Sequence, residues 1–226
     1  MSQGPTTWGP ARVGLSVLLL FFVLSIEAAI LAGFGLDLDS LAGKLALQAL
    51  LAVTLIVVAF VLAGERGETA SPAMLGVRRP HASLPDVVLY LVIAVACYLT
   101  FALIWGALVH PKQEDITRDL GVDESTAVAI IAGVLIIVAA PVSEEIFFRG
   151  FMFGGLRRRL PFFLAGPIAG AIFGLFHYTS PDTWAVIPQL AVLGFLFTWV
   201  YERSGSILPT MLLHAVNNLV AFISLT

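Results

Sequence analysis

The sequence predicts an all-α protein, a polytopic membrane bundle of about seven transmembrane helices. Of its 226 residues, 59% are hydrophobic and only 12% are charged, whereas soluble domains carry about 25% charged residues. Several runs also approach the roughly 20 apolar residues that span a bilayer. This composition excludes disorder, and a net charge of -3 with 12 Lys and Arg residues leaves no basic surface for nucleic acid. The lipid bilayer is therefore the predicted environment.

Seven apolar runs account for the predicted spans. The first is interrupted only by Glu27, the second and third contain no charge, and the fourth ends at the pair Glu144 and Glu145. In chain order the runs are 14–36, 45–63, 87–109, 126–143, 160–176, 184–200 and 204–226. The first run is too long for the apolar region of a cleavable signal peptide, so we predict that it remains in the membrane.

The chain is predicted to form one integral membrane unit with two parts. Residues 1–123 hold helices 1–3 and an interfacial loop near 64–85, which is too long for a turn and too polar to insert. Residues 124–226 hold helices 4–7 and three clusters of polar residues. We expect Cys97 to be a small core residue, and we expect Glu27 to pair with another helix or to reach the interface rather than to catalyse.

The positions of Lys and Arg predict a cytoplasmic N-terminus, because cytoplasmic loops carry an excess of these residues. That orientation puts eight arginines inside, namely Arg12, Arg66, Arg78, Arg79, Arg157, Arg158, Arg159 and Arg203. Only Lys44, Lys112 and Arg118 then fall outside. With seven spans, the C-terminus lies on the outer side.

Ionisable residues within the spans are costly, so they mark packing pairs or functional sites. The first cluster, PVSEEIFFRGF, contains Glu145 and Arg149 four residues apart with the acid first, the favourable order for a helical ion pair. Glu144 lies about 100° around the helix and has no local partner. Pro141 frees the carbonyl of Ile137 and can kink the helix. A purely structural charge cluster near the interface would explain these residues equally well.

The second cluster ends at His177 in the stretch FGLFHY. Gly166, Gly170 and Gly174 precede it at four-residue spacing, a stripe that lets another helix approach closely. His177 is expected near that contact face. The alternative is a histidine at a helix end in the headgroup region.

The third cluster, LLHAVNN, places His214 and Asn218 on one face of the last span, since they are four residues apart. Two hydrogen-bonding side chains at membrane depth are poorly explained as headgroup contacts. They either join helices through hydrogen bonds or belong to a site.

A helical hairpin links these clusters, with helix 4 continuing through the three arginines to a turn near Leu160. Glu144 is 16 residues before Leu160 and His177 is 17 residues after it, so the two side chains lie at similar depth. A carboxylate and an imidazole can hold and deprotonate a water, while a second His and a carboxamide can stabilise an oxyanion. Glu144, His177 and His214 could instead bind Zn²⁺.

These residues resemble three motifs of the CAAX-protease and bacteriocin-processing (CPBP, or Abi) family, to which the CAAX prenyl endopeptidase of the endoplasmic reticulum is related. The motif EExxxR is matched by Glu144, Glu145 and Arg149, and FxxxH by Phe173 and His177. The motif HxxxN is matched by His214 and Asn218. The resemblance extends from about residue 124 to the C-terminus, and the fragment LGVRRP, residues 75–80, is similar to a segment seen upstream of the core.

The resemblance implies a glutamate-dependent intramembrane endopeptidase, a hydrolase. It gives Glu144 the catalytic role, His177 the role of orienting water, and His214 and Asn218 the role of oxyanion donors. Glu145 and Arg149 would be a supporting ion pair, and Phe173 would pack within the motif. Family members are described both as metalloproteases and as enzymes without a metal, and the lack of an HExxH motif in this sequence does not decide between the two. We favour a site without a tightly bound metal, with Zn²⁺ as the alternative.

The leading hypothesis is therefore a peptidase that acts on a membrane-associated protein or peptide, in the plasma membrane of a prokaryote. The resemblance leaves the substrate open, including whether it is prenylated. The alternative is a non-catalytic scaffold or bacteriocin-immunity protein of the same family. A small transporter would require inverted repeats, whereas the polar residues are concentrated in the C-terminal half.

Overall fold

The computed structural model describes residues 7–65, 67–111 and 120–225. Within these residues the chain forms an all-α membrane helix bundle of seven helices, which confirms the predicted fold class. Arg66, Lys112 and Arg118, which were counted to predict the orientation in the membrane, lie outside the described residues.

The helices follow the seven apolar runs. They are α1 (Pro10–Gly33), α2 (Leu41–Ala63), α3 (Leu84–Val109), α4 (Thr126–Arg157), α5 (Phe162–Leu175), α6 (Ile187–Ser204) and α7 (Leu208–Leu225). Short 3₁₀ turns occupy Pro72–Leu75 and Pro181–Ala185. Over the described ranges, α1 to α4 and the stretch Thr183–Ser204 are long and apolar enough to cross a membrane, whereas α5 and α7 are shorter apolar helices.

Three of these helices begin at a serine that caps the first turn. The Oγ atoms of Ser40, Ser83 and Ser125 accept hydrogen bonds from the backbone N–H three residues later, at 3.1, 3.4 and 3.3 Å. These bonds satisfy donors that have no partner within the helix. Helix α5 begins after Pro161, whose fixed φ suits the position before a first turn.

Helix α4 is continuous through Glu144 and Glu145 and ends at Arg157, as the hairpin interpretation requires. Two π-helical segments, Leu135–Ala139 and Glu145–Phe153, lie within it. In the first segment the N–H of Ala140 donates to the carbonyl of Leu135, five residues back. Pro141 therefore stands opposite Ile136, so the sequence-based choice of Ile137 as the freed carbonyl is wrong by one residue.

The glycine stripe of α5 packs directly on α6. A Cβ atom on Gly170 would lie 2.6 Å from the backbone oxygen of Ala191, and one on Gly174 would lie 2.8 Å from that of Ile187. Only glycine allows the two backbones to come this close. The predicted helix contact is confirmed, and it fixes the end of α5, where His177 follows.

Arginine side chains gather at one end of the bundle. Arg12 at the start of α1 donates to the carbonyl oxygens of Leu62 (3.0 Å) and Gly64 (2.7 Å) at the end of α2. Arg157 at the end of α4 pairs with Glu202 near the end of α6 at 2.9 Å. We name the end that holds Arg12 and Arg157 the arginine end.

The segment expected to be an interfacial loop near 64–85 packs tightly over residues 75–81. Leu75 is fully buried, and its carbonyl leaves no room for a Cβ on Gly150 of α4. Arg78 Nε donates to the carbonyl of Gly205 at 2.9 Å, and the N–H of Ile207 donates to that of Gly76 at 3.0 Å. This segment therefore joins α4 to the turn between α6 and α7.

The structure confirms the prediction for Glu27 and contradicts the one for Cys97. Glu27 accepts a hydrogen bond through Oε1 from Thr54 Oγ1 at 2.7 Å, so it pairs α1 with α2 as expected. Cys97 is exposed on α3, and the expectation of a core position is wrong. A small apolar side chain carries no pattern that distinguishes a lipid-facing position from a buried one.

Candidate active site

Three polar side chains from different elements of the bundle come close together. Glu144 comes from α4, His177 from the turn after α5, and His214 from α7. The Oε2 atom of Glu144 lies 4.0 Å from Nε2 of His177 and 3.8 Å from Nε2 of His214. The structure thus brings together the acid and the two histidines that the motifs single out.

Exposure decreases from one side of this cluster to the other. The side chain of His177 is 33% exposed, that of Glu144 is 15% exposed, and that of His214 is 4% exposed. The cluster is therefore most open beside His177 and closed on the side of His214.

Both histidines are held through Nδ1. In His177 this atom lies 2.8 Å from the carbonyl oxygen of Phe173, and because a carbonyl can only accept, Nδ1 carries the hydrogen. In His214 it lies 3.0 Å from Oε1 of Glu145, which as an ionised carboxylate also only accepts. Each ring therefore presents Nε2 to Glu144.

Glu145 and Arg149 form the predicted ion pair within α4. Nη1 of Arg149 lies 2.9 Å from Oε1 of Glu145, and both side chains are buried. The guanidinium also donates from Nη2 to the carbonyl of Gly194 at 3.2 Å and lies over the rings of Phe173 (4.3 Å) and Phe197 (5.1 Å). Such contacts stabilise a buried cation, and the pair in turn fixes the ring of His214.

Asn218 is engaged away from the Glu144 carboxylate. Its Nδ2 donates to the carbonyl oxygen of Ile136 at 2.9 Å. Its Oδ1 lies 3.4 Å from Nδ2 of the neighbouring Asn217. The side chain thus contacts the first π-helical segment of α4.

Several groups that support the site carry no motif signal. The carbonyl groups of Ile136 and Gly194 are backbone atoms, whose availability depends on helix register. Trp8 is buried and donates from Nε1 to the carbonyl of Phe151 at 2.7 Å. For this last contact, the sequence offers one feature that could have indicated it, a tryptophan just before the first apolar run.

The three converging groups do not have the spacing of a tetrahedral zinc site. With bonds of about 2.1 Å, two zinc ligands lie about 3.4 Å apart, closer than the 3.8 and 4.0 Å found here. Among the residues that the structure describes, no group of three or more His, Cys, Asp or Glu side chains is arranged to hold a metal ion. In this arrangement the carboxylate and the two imidazoles do not fit a tetrahedral Zn²⁺ ion.

The same separations suit a water molecule. They are too long for direct hydrogen bonds, and Oε2 of Glu144 is a buried acceptor without a hydrogen-bond partner among the described residues. Polar groups at such distances are commonly bridged by one water. A water here could donate to the carboxylate and to one imidazole Nε2.

Comparison with known proteins gives one family match. Residues 126–220 match the family model described as "Type II CAAX prenyl endopeptidase Rce1-like". This range contains α4, α5, α6 and most of α7, together with all three motifs. No solved structure gives a significant match.

Three curated bacterial proteins are similar to parts of the chain. The uncharacterized protein YyaK of Bacillus subtilis is 34% identical over 121 residues, 50% of this chain and 38% of its own length. The UPF0177 protein YxdF of Lactococcus lactis is 32% identical over 82 residues, 36% of this chain and 43% of its own length. YdiL of Bacillus subtilis, whose name proposes a membrane peptidase, is 35% identical over 81 residues, 36% of this chain and 32% of its own length.

These alignments cover less than half of each relative, between 32% and 43% of its length. The family match therefore rests on the C-terminal part of the chain, where the sequence motifs and the three-residue cluster also lie. Over residues 126–220 the chain is similar to the Rce1-like family, consistent with the CAAX-protease and bacteriocin-processing family that its motifs indicate.

Proposed function

We propose that the protein is an intramembrane endopeptidase that hydrolyses a peptide bond of a membrane-associated protein or peptide. The observation that carries this proposal is the buried Oε2 atom of Glu144, which faces Nε2 of both His177 and His214. The family match over residues 126–220 supports the same class of reaction.

Glu144 is the proposed general base. A water between Glu144 and His177 donates one hydrogen to the carboxylate and the other to Nε2 of the imidazole, which orients its lone pair towards the substrate carbonyl. As the water oxygen bonds to the carbonyl carbon, its proton passes to Glu144. Glu144 then returns that proton to the amine nitrogen as the carbon–nitrogen bond breaks.

His214 is the proposed partner of the developing oxyanion. Glu145 holds the ring through Nδ1, and in its imidazolium form His214 also carries a hydrogen on Nε2 that can donate to the reacting carbonyl oxygen. Because the ring is buried and fixed, this donor requires no reorganisation during the reaction. The ion pair of Glu145 with Arg149 maintains that position.

The test compares native protein with Glu144→Gln, which keeps the side-chain shape but removes the base. Peptides that accumulate in cells carrying Glu144→Gln are identified by mass spectrometry, synthesised, and added to purified native protein in detergent. We expect cleavage by the native protein and a rate about 10²–10⁴-fold lower for Glu144→Gln. Thermal unfolding confirms that the variant is folded.

Glu27→Gln is the matched control, since Glu27 is also a carboxylate within a helix but contacts Thr54 outside the site. It should cleave at the native rate. Cleavage by Glu144→Gln at that same rate would refute the mechanism, whereas a native protein that cleaves none of the peptides would favour the non-catalytic scaffold or immunity protein.

We further propose that the arginine end faces the cytoplasm of a prokaryotic cell and that the N-terminus lies there. Support comes from the gathering of Arg12 and Arg157 at one end and from the excess of such residues in cytoplasmic loops. In a Cys97→Ser background, Arg159→Cys should be protected from an impermeant thiol reagent in whole cells, while Asp39→Cys should react. The opposite labelling pattern would reverse the orientation.

A further inference from the structure

Pro141 interrupts the backbone hydrogen bonding of α4 close to the catalytic cluster. In the preceding π-helical segment, Ala140 donates to the carbonyl of Leu135. The next bond in this register would run from residue 141 to the carbonyl of Ile136, but proline has no N–H. A carbonyl without a partner is unfavourable at membrane depth, where little water can replace the bond.

Asn218 supplies the missing donor from another helix. Its Nδ2 lies 2.9 Å from the carbonyl oxygen of Ile136, although 82 residues separate the two positions. Side chains of neighbouring helices commonly satisfy backbone groups freed by a proline within a membrane. This one bond therefore explains how a proline is tolerated within α4 and why a polar asparagine lies on α7.

This contact lies next to the residues that face the substrate. Asn218 is one helical turn after His214 on α7, and Pro141 is three residues before Glu144 on α4. A further polar contact between the two helices is the bond from Nδ1 of His214 to Glu145 at 3.0 Å. Together these two bonds hold α7 against α4 close to His214 and Glu144.

We propose that Asn218 is a positioning residue, which replaces the backbone donor lost at Pro141 and thereby keeps Nε2 of His214 facing Glu144. It acts through helix packing, by way of the hydrogen that Nδ2 donates to the carbonyl of Ile136. This assignment rests on the proposed endopeptidase function for its catalytic consequence, whereas the structural role of the bond can be measured without any substrate.

The experiment is a double-mutant cycle of Asn218→Ala and Pro141→Ala, read by thermal midpoint in detergent and by kcat and KM of the folded fraction. The alanine introduced by Pro141→Ala has an N–H that can donate to the carbonyl of Ile136, so this substitution should repair part of the damage caused by Asn218→Ala. We expect Asn218→Ala to lower the midpoint and to lower kcat by about 10²-fold with little change in KM, because a catalytic group is slightly misplaced. The double variant should recover midpoint and kcat towards native values.

A role for Asn218 as an oxyanion donor alone predicts a different result. Asn218→Ala would then leave the midpoint unchanged, and the two substitutions would have additive effects on both readouts. Either result overturns the proposal. If Asn218→Ala alone fails to fold, the double variant is still expected to fold, and its failure would also overturn the proposal.

The midpoint cycle separates this proposal from the endopeptidase proposal. If no substrate is cleaved even by native protein, recovery of the midpoint in the double variant still supports the Asn218–Ile136 bond as a repair of the Pro141 gap. If Glu144→Gln confirms the peptidase but the cycle is additive, the mechanism stands and the positioning role is refuted.

Discussion

Replacing Arg149 with Met should destabilise the bundle strongly, because it leaves the Glu145 carboxylate buried without its counter-charge. The two side chains are only 1% and 0% exposed, and Nη1 lies 2.9 Å from Oε1. Removing one partner of such a pair typically costs about 3–5 kcal/mol. The substitution also removes the donor to the carbonyl of Gly194 and the guanidinium above Phe173, so the upper part of that range is expected.

The matched control removes both charges at once, as Glu145→Gln with Arg149→Met. Most of the lost stability should return, since replacing a whole buried pair with neutral groups is often close to neutral. The amide oxygen of the introduced glutamine can still accept from Nδ1 of His214, which preserves that contact.

Free energies of unfolding for the native protein and both variants are obtained by denaturant titration in mixed micelles, followed by tryptophan fluorescence. A single variant as stable as native protein would refute the role of the ion pair. A double variant no more stable than the single one would show that lost packing, and not the unpaired charge, causes the effect.

The close backbone contacts give further expectations. Gly170→Leu should lower the yield of folded protein in size-exclusion chromatography, because even a Cβ would lie 2.6 Å from the backbone oxygen of Ala191. Gly14→Leu is the control and should be neutral, because a Cβ on Gly14 would have no neighbouring atom within 4 Å. Gly150→Ala should release the 72–81 segment, since its Cβ would overlap the carbonyl of Leu75, and trypsin should then cut faster within that segment than in native protein. Dialysis against EDTA should leave the cleavage rate unchanged, because the cluster lacks the spacing of a zinc site; a loss that Zn²⁺ restores would contradict this.

The sequence alone predicts the bundle and the convergence of its polar residues because both depend on simple periodic patterns. Apolar runs give the helices, and residue counts on either side of the turn near Leu160 predict that Glu144 and His177 lie at one depth. Four-residue spacing predicts the ion pair of Glu145 and Arg149. These features need only helix geometry, and the structure contains each of them.

Features that depend on backbone register could not be predicted in this way. A π-helical turn moves the freed carbonyl from Ile137 to Ile136, and no side-chain pattern reports such a shift. The burial of Leu75 against Gly150 is similarly hidden, because the surrounding segment is polar and reads as an interfacial loop. The position of the freed carbonyl and the burial of Leu75 both depend on tertiary contacts and not on local composition.

Phe173 shows why an aromatic residue belongs in a motif that is otherwise polar. Its ring lies under the guanidinium of Arg149 at 4.3 Å and beside the rings of His177 and His214, at 4.8 and 5.9 Å between centroids. Its backbone carbonyl also holds Nδ1 of His177. The ring thus gives the arginine of the ion pair and both histidines one shared apolar surface to pack against. Leucine could fill the volume, but it lacks the electron-rich face that attracts the arginine, so the motif requires the ring as well as the histidine.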